Sequence, residues 1–201
     1  MKLSATNIVI AGVGGQGTLL LGQVLAHASS SAGLKAKATE TLGLSQRGGS
    51  VASHVRIGED VFQPLVWDGS ADLLLGFEPL EALRAAKFLS TGSLVVLNTH
   101  KVLPSLVRAG QEKYPSIEEI VNILRRISRV VAIDATALAD KAGNRISMNM
   151  VMLGAACATG RLPIPKEAAE QAMRNNVPKR AIDLNLKAFN LGYEETKKRI
   201  G

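Results

Sequence analysis

A glycine-dense stretch near the start of the chain has the residue types for binding a phosphate group. Its candidate ligand-binding residues are Gly12, Gly14, Gly15, Gln16 and Gly17. An apolar run at residues 8–11 precedes the stretch, and an apolar-faced helix is predicted from Thr18 onward. Gly12 allows a tight bend, Gly14 lets backbone N–H groups approach an anion, and Gly17 lets the helix pack closely. The positive end of the helix dipole would then face the ligand.

Two further residues decide what such a turn could bind. A dinucleotide fold needs an acidic residue about 20 residues beyond the glycines to hold the ribose, and Glu40 is the only candidate. A solvated loop position explains Glu40 equally well. Arg47, in the glycine- and serine-rich stretch 41–50, supplies a fork-shaped cation for a phosphate or carboxylate. Alternatively, the glycines only allow tight subunit packing, and Arg47 pairs with a partner's carboxylate.

A self-contained catalytic set is missing from the sequence. The glycine turn lacks the Lys-Ser/Thr of a nucleoside-triphosphate loop, and the histidines His27, His54 and His100 are scattered. Asp134 follows a predicted strand, where it could either face a ligand crevice or cap the next helix. The single cysteine, Cys157, excludes an internal disulfide, an iron–sulfur cluster and a cysteine-rich zinc site. Therefore either a cofactor or another polypeptide carries the chemistry.

The order of predicted elements indicates an α/β protein. We expect a Rossmann-like three-layer fold with a mostly parallel sheet, an antiparallel hairpin addition and a helical carboxyl-terminal part, forming one domain over residues 1–201. Strands are predicted at 34–39, 50–57, 71–77, 93–98 and 129–133, and helices at 78–89, 117–127, 137–142, 148–157, 166–174 and 179–193. Alternation at 50–57 and a turn at 58–60 predict a hairpin that returns at 61–62. The helix at 148–157 is apolar nearly all round, so it is either buried or in a subunit interface. The charged tail, 194–201, is expected to fray.

Composition excludes several classes of function. Apolar residues make up 46% and charged residues 20% of the 201 residues, as in ordinary globular proteins. The net charge of +7 falls wholly in residues 101–201, which hold 17 basic and 10 acidic side chains. Only seven residues are Phe, Trp or Tyr, too few for a base-stacking platform, so no nucleic-acid partner is expected. No apolar run is long enough for a membrane span, and a cytoplasmic location is the default expectation.

Several stretches together resemble the gamma subunit, or gamma domain, of 2-oxoacid:ferredoxin oxidoreductases. Within that family the chain is most similar to the small (beta) subunit of indolepyruvate ferredoxin oxidoreductase. The matching stretches are 7–17 (NIVIAGVGGQG), 46–50 (QRGGS), 55–56 (VR), 71–78 (ADLLLGFE), 98–99 (NT), 132–136 (AIDAT) and 149–154 (NMVMLG). They run in order over most of the chain.

The resemblance implies a role in oxidative decarboxylation of a 2-oxoacid, with coenzyme A and ferredoxin, to give an acyl-CoA. It places thiamine diphosphate, magnesium and the iron–sulfur clusters on larger partner subunits, through which ferredoxin is reached indirectly. The chain is then inactive alone, and it completes the assembly or approaches coenzyme A near Gly14 and Arg47. A homodimer is compatible with this picture. Two alternatives stay open: a free-standing NAD(P)- or flavin-dependent oxidoreductase, and an adenylate-forming enzyme with a similar glycine loop.

Overall fold

A six-stranded sheet forms the centre of the molecule. The computed structural model describes residues 5–42, 49–103 and 114–200. The strands are β1 (Thr6–Val13), β2 (Lys35–Leu42), β3 (Ser50–Gly58), β4 (Leu73–Gly76), β5 (Leu94–Asn98) and β6 (Arg129–Ile133). The α-helices in these residues are α1 (Thr18–Ser31), α2 (Pro79–Arg84), α3 (Ile117–Arg125), α4 (Ala135–Ala142), α5 (Met148–Ala158), α6 (Lys166–Asn176) and α7 (Ile182–Ile200).

The strand order is β2-β3-β1-β4-β5-β6. β1, β4, β5 and β6 are parallel to one another, and β3 is antiparallel to both β1 and β2. The strands β4 and β5 are continuous apolar runs because both of their faces are covered, as is typical of parallel sheets. The predicted α/β class, with a mostly parallel sheet and an antiparallel addition, is therefore confirmed.

The antiparallel addition differs in detail from the prediction. Residues 61–62 do not form a returning strand; instead β3 pairs with the preceding strand β2 and inserts between β2 and β1. Val61 is buried while Phe62 is exposed, so this segment supplies one core residue without joining the sheet. Alternation of side chains identifies a strand, but it carries no information about the neighbour with which that strand pairs.

The two faces of the sheet are covered unequally. Helices α1, α4, α5, α6 and α7 pack on one face, and α2 and α3 pack on the other. The apolar helix α5 is buried inside the chain against α7, which explains why nearly all of its sides are apolar. A β-carbon at Gly154 of α5 would lie 1.9 Å from the Phe189 carbonyl oxygen, and one at Gly192 of α7 would lie 2.0 Å from that of Val151. The two helices thus meet at backbone-to-backbone distance.

The carboxyl-terminal segment is helical rather than frayed. α7 continues to Ile200, whose carbonyl oxygen accepts a hydrogen bond of 2.8 Å from the Arg129 guanidinium on β6. Thr196 in the same segment is fully buried. The prediction of a frayed tail was wrong because one side of this charged helix packs on the sheet and on α5. Within the described residues, no helix has the length and apolarity needed to cross a bilayer.

Candidate functional site

A pocket of about 310 Å³ opens at the carboxyl ends of the parallel strands. The glycine loop that follows β1 forms one side, and the segments that follow β5 and β6 form the other. This is the edge of an open α/β sheet at which ligands bind in proteins of this architecture. Its lining includes Gly15, Gln16, His100, Thr136, Arg145 and Met148.

The glycine loop has left-handed backbone geometry at two positions. Gly15 has φ of +99° and Gly17 has φ of +81°, a region that other residues enter at a cost of roughly 1–2 kcal/mol. The N–H groups of Gly15 and Gly17 donate to no described residue. The N–H of Gly14, which the sequence assigned to an anion, instead donates to the Gly49 carbonyl oxygen at 2.9 Å. The donors available to a ligand therefore come from Gly15 and Gly17.

Gly12 and Gly17 are also required by close packing. A β-carbon at Gly12 would lie 2.7 Å from Gln16 Oε1 and 3.0 Å from the Phe77 β-carbon. A β-carbon at Gly17 would lie 2.5 Å from Asn149 Nδ2 on α5. The close approach that the sequence predicted for Gly17 thus exists, but the neighbour is a helix from the second half of the chain.

The Gln16 side chain positions the loop. Its Oε1 accepts a hydrogen bond from the Val13 N–H at 2.8 Å, and its Nε2 donates to the Phe77 carbonyl oxygen at 3.3 Å. Gln16 therefore connects the end of β1 to the end of β4, so both polar atoms of its side chain serve the loop itself.

Asn98, at the end of β5, extends this hydrogen-bond network across the sheet edge. Its Nδ2 donates to the Phe77 carbonyl oxygen and to Thr136 Oγ1, at 3.0 and 3.2 Å. Its Oδ1 accepts from the N–H groups of Ala135 and His100, at 3.1 and 3.2 Å. Because Asn98 is fully buried, these four bonds hold the segments after β4, β5 and β6 in fixed positions around the pocket.

Three helix amino termini border the pocket, and their sequences differ from those of the other helices. The first turns of α1, α4 and α5 contain no acidic residue. The first turns of the remaining helices contain Glu81 (α2), Glu118 and Glu119 (α3), Glu167 (α6) and Asp183 (α7). A first-turn carboxylate normally neutralises the positive end of the helix dipole. At α4 the N-cap carboxylate of Asp134 takes this role, so α1 and α5 are the two helices at the pocket whose positive potential remains for an anion.

Arg145 adds a full positive charge to the same pocket. Its guanidinium pairs with Asp140 at 2.7 Å, and both side chains are exposed. The hydrogen bond from Arg145 holds the pKa of Asp140 below its usual value, and the pair raises the pKa of Arg145. An exposed ion pair of this kind contributes little to stability, so the guanidinium is free to bind a ligand anion. With His100 nearby, the pocket is suited to a phosphate or carboxylate.

A buried carboxylate, that of Glu78, binds the start of α2 and the segment that follows β5. Glu78 is the second residue after β4 and is fully buried. Its Oε2 accepts from the N–H groups of Leu80 and Glu81 at 2.8 and 3.1 Å, which caps α2. Its Oε1 accepts from the Tyr114 hydroxyl and, at 3.4 Å, from the Val102 N–H. Burial raises the pKa of Glu78, whereas these hydrogen bonds oppose the shift; burial beside Glu78 also raises the pKa of Tyr114.

Glu40 does not occupy the ribose position of a dinucleotide site. It accepts hydrogen bonds from Ser53 Oγ at 2.9 Å and from Thr18 Oγ1 at 3.3 Å. Because β3 lies between β1 and β2, Glu40 is two strand spacings from β1, roughly 10 Å. It is also opposite Ser53, which pairs with Ile10 in the body of β1 rather than at its end.

The remaining sequence candidates fall in different places. Asp134 caps α4 by accepting from the Ala137 N–H at 2.8 Å, as one of its two interpretations predicted. His54 lies in a separate pocket on the face of α2, and His27 contacts Asn176 on the surface. Arg47 lies outside the described residues, so its predicted role as a ligand or partner contact stays a prediction.

Sequence reasoning missed Arg145 and Thr136 as lining residues. Arg145 stands in a short polar turn with no motif around it, and Thr136 looks like an ordinary first-turn helix residue. The signal that could have identified Arg145 is the missing acid at the amino terminus of α5, which is readable once helix boundaries are known. Among the described residues, no group of three His, Cys, Asp or Glu side chains could hold a metal ion.

Comparisons with known proteins agree with this geometry. Residues 7–195 match the family model described as "Pyruvate ferredoxin/flavodoxin oxidoreductase". The chain is 45% identical to the indolepyruvate oxidoreductase subunit IorB of Archaeoglobus fulgidus over 94% of both chains. It superposes on the gamma subunit of a keto/oxoacid ferredoxin oxidoreductase from Geobacter sulfurreducens with a TM-score of 0.70 and 30% identity, covering 95% of this chain and 98% of that one.

A third match extends the comparison of folds. The protein is a 2-oxoglutarate:ferredoxin oxidoreductase from Magnetococcus marinus, solved with 2-oxoglutarate, coenzyme A and succinyl-CoA bound. The match has a TM-score of 0.76 and 21% identity, and it covers 98% of this chain but 32% of that one. At this identity it shows the fold alone. The family match and the close relatives support a subunit rather than a free-standing NAD(P) enzyme. The chain belongs to the pyruvate ferredoxin/flavodoxin oxidoreductase family, as one of the small subunits of 2-oxoacid:ferredoxin oxidoreductases.

Proposed function

We propose that the chain is the small subunit of an indolepyruvate-type 2-oxoacid:ferredoxin oxidoreductase, and that its sheet-edge pocket receives a phosphate group of coenzyme A. The observation that carries the proposal is the pair of helix amino termini without a capping or first-turn acid, those of α1 and α5, beside a pocket that also contains Arg145. A phosphate carries the charge that this arrangement leaves unneutralised. Coenzyme A is also bound in the Magnetococcus protein, which contains the same fold.

The glycine loop and Arg145 have different roles in this proposal. The N–H groups of Gly15 and Gly17 donate to the phosphate, and Arg145 leaves Asp140 to pair with it. Gly12 and Gln16 hold the loop in shape, and Gly14 contributes through its bond to Gly49 rather than as a free donor. Arg47, on the segment before Gly49, is a further candidate for contact with coenzyme A or with a partner subunit.

The redox chemistry would take place on larger partner subunits. One cysteine cannot ligate an iron–sulfur cluster, so the clusters, with thiamine diphosphate and magnesium, are assigned to those subunits. When bound there, these groups supply decarboxylation of the 2-oxoacid and transfer of its electrons to ferredoxin. This chain supplies binding and orientation of coenzyme A at the edge of its sheet. Self-association is compatible with this arrangement.

The coenzyme A assignment is tested in the complex assembled with the larger subunit, by steady-state kinetics with Arg145→Gln. We expect the KM for coenzyme A to rise about tenfold, the effect of losing a hydrogen bond to a charged group, while the KM for the 2-oxoacid is unchanged. Lys141→Gln, which removes an exposed cation on the neighbouring helix α4, is the matched control and should leave both values unchanged.

Two results would contradict the assignment. An equal rise in both KM values would show that Arg145 supports assembly of the complex rather than coenzyme A binding. No change in either value would show that this pocket does not bind coenzyme A.

The subunit assignment has its own test. The chain alone should reduce no dye with a 2-oxoacid, and purification of the native protein should recover a larger subunit that carries thiamine diphosphate and iron–sulfur clusters.

A further inference from the structure

A second pocket lies on the face of the sheet against which α2 packs, under the segment that joins β3 to β4. It has a volume of about 630 Å³, within the usual range of roughly 300–1,000 Å³ for small-molecule sites, and shares no lining residue with the glycine-loop pocket. Among the described residues, α2 packs on β1 but neither α2 nor α3 covers β3 on this face, which leaves room for the pocket. Its apolar walls are Val51, Leu65, Val66, Trp67, Ala85 and Phe88.

His54 supplies an unsatisfied donor to this pocket. The residue is only 3% exposed, and its ring meets Phe88 edge-on at 5.0 Å. The Val66 N–H donates to Nδ1 at 3.3 Å, so the ring proton lies on Nε2. Nε2 has no hydrogen-bond partner among the described residues, and His54 lines the pocket. Among the described residues, the buried side-chain polar atoms without a partner are Ser128 Oγ and Thr196 Oγ1 and not His54 Nε2, so this N–H reaches the open space of the pocket and can donate to an acceptor bound there.

Lys87 provides a cation at the pocket rim. Its ammonium lies 4.8 Å from the centre of the Phe88 ring and 3.5 Å from Asp68 Oδ1, with 61% of the side chain exposed. Burial lowers the pKa of His54, and the positive charge of Lys87 lowers it further, so the field of Lys87 reaches the imidazole. The other charges on the lining, Arg84 and Glu81, pair with each other at 2.6 Å. The exposed pair with Asp68 is weak, which leaves Lys87 able to turn toward a ligand.

We propose that this pocket binds a small aromatic carboxylic acid. The ring would pack against Phe88 and the Trp67 indole, which is 66% exposed at the mouth. The carboxylate would accept from His54 Nε2–H, with Lys87 as its counter-charge. Aromatic walls select a flat apolar body, and a donor with a nearby cation selects an anionic acceptor. The site is independent of the proposed coenzyme A pocket.

Phenylacetate is a suitable probe, because Trp67 is the single tryptophan of the chain and reports on the pocket directly. Titration of the full chain, followed by Trp67 fluorescence and by calorimetry, should show saturable binding with a Kd below about 1 mM. His54→Leu should weaken binding about tenfold or more, and Lys87→Gln about threefold. Lys35→Gln, an equally exposed lysine that pairs with Asp60, is the matched control and should have no effect.

Several outcomes would overturn the proposal. Absence of saturable binding up to about 10 mM, or equal affinity for benzyl alcohol, would remove the carboxylic acid class. Unchanged binding by a folded His54→Leu protein would place the ligand elsewhere; if that variant does not fold, Lys87→Gln against Lys35→Gln decides. Phenylacetate binding and acrylamide quenching of Trp67 are then repeated in the assembled complex. Loss of both there would show that a partner polypeptide, not a small acid, occupies the pocket. Because Arg145→Gln should not change phenylacetate binding, failure here is distinguishable from failure of the coenzyme A assignment.

Discussion

The two faces of the sheet are built in different ways. On one face, five helices pack into a continuous core, and α5 meets α7 at backbone contact through Gly154 and Gly192. On the other face, α2 and α3 are the described α-helices; they cover only part of the sheet, and the His54 pocket lies beside β3. That face combines its own apolar cluster with a polar contact, the hydrogen bond from Tyr114 to the buried Glu78.

This difference separates stability from accessibility. The closely packed face (the thick face) cannot admit a ligand without losing its packing. The face covered by α2 and α3 (the thin face) has a pocket bordered by the exposed side chains of Leu65 and Trp67. The glycine-loop pocket lies where the two faces meet, at the carboxyl ends of the strands. Substitutions should therefore affect folding most on the thick face and least around the His54 pocket.

The largest effect is expected for Gly154→Ala on the thick face. The new β-carbon would lie 1.9 Å from a backbone oxygen of α7, and a backbone atom cannot rotate away as a side chain can. The helices must separate, so we expect a loss of about 3 kcal/mol in the free energy of unfolding, measured by urea denaturation. Gly92→Ala is the control, because its β-carbon meets nothing closer than Ser90 Oγ at 4.0 Å. A loss below about 1 kcal/mol for Gly154→Ala would show that α5 and α7 can adjust.

An intermediate effect is expected for Tyr114→Phe on the thin face. The substitution removes a hydrogen bond to a buried carboxylate and should cost about 2 kcal/mol near pH 7. The hydroxyl lowers the pKa of Glu78, so its removal raises that pKa further above the unfolded value. A carboxyl with a raised folded-state pKa loses stability as the pH rises. The cost of Tyr114→Phe should therefore shrink as the pH falls toward 4.5, and an equal cost at both pH values would contradict this account.

The parallel part of the fold was predictable because its strands are continuous apolar runs, and the predicted bounds of β6 match the observed Arg129–Ile133. The insertion of β3 between β1 and β2 was not, because alternation fixes the two faces of a strand but not its neighbour. The glycine loop was predictable as a turn, but the assignment of its donors was not, because the bond from Gly14 to Gly49 joins residues far apart in sequence. Arg145 was missed for the same reason: only the tertiary fold brings it to Gly15.

The smallest effect on stability is expected at His54, and it tests whether burial on the thin face keeps this imidazole neutral. Burial and Lys87 lower the pKa of His54, so the folded protein should hold a neutral imidazole below the ordinary value of 6.5, with its proton on Nε2. On acidification through 6.5, the unfolded chain takes up a proton that the folded chain refuses, so the folded state loses stability. His54→Gln lacks this penalty, and the urea midpoint of the wild type should fall more than that of the variant between about pH 7.5 and pH 5.5. Imidazole ¹⁵N spectra of the wild type should show a titration midpoint below 6.5, with the Nε2–H form above that midpoint; a midpoint at or above 6.5 would mean that burial and Lys87 do not lower the pKa of His54.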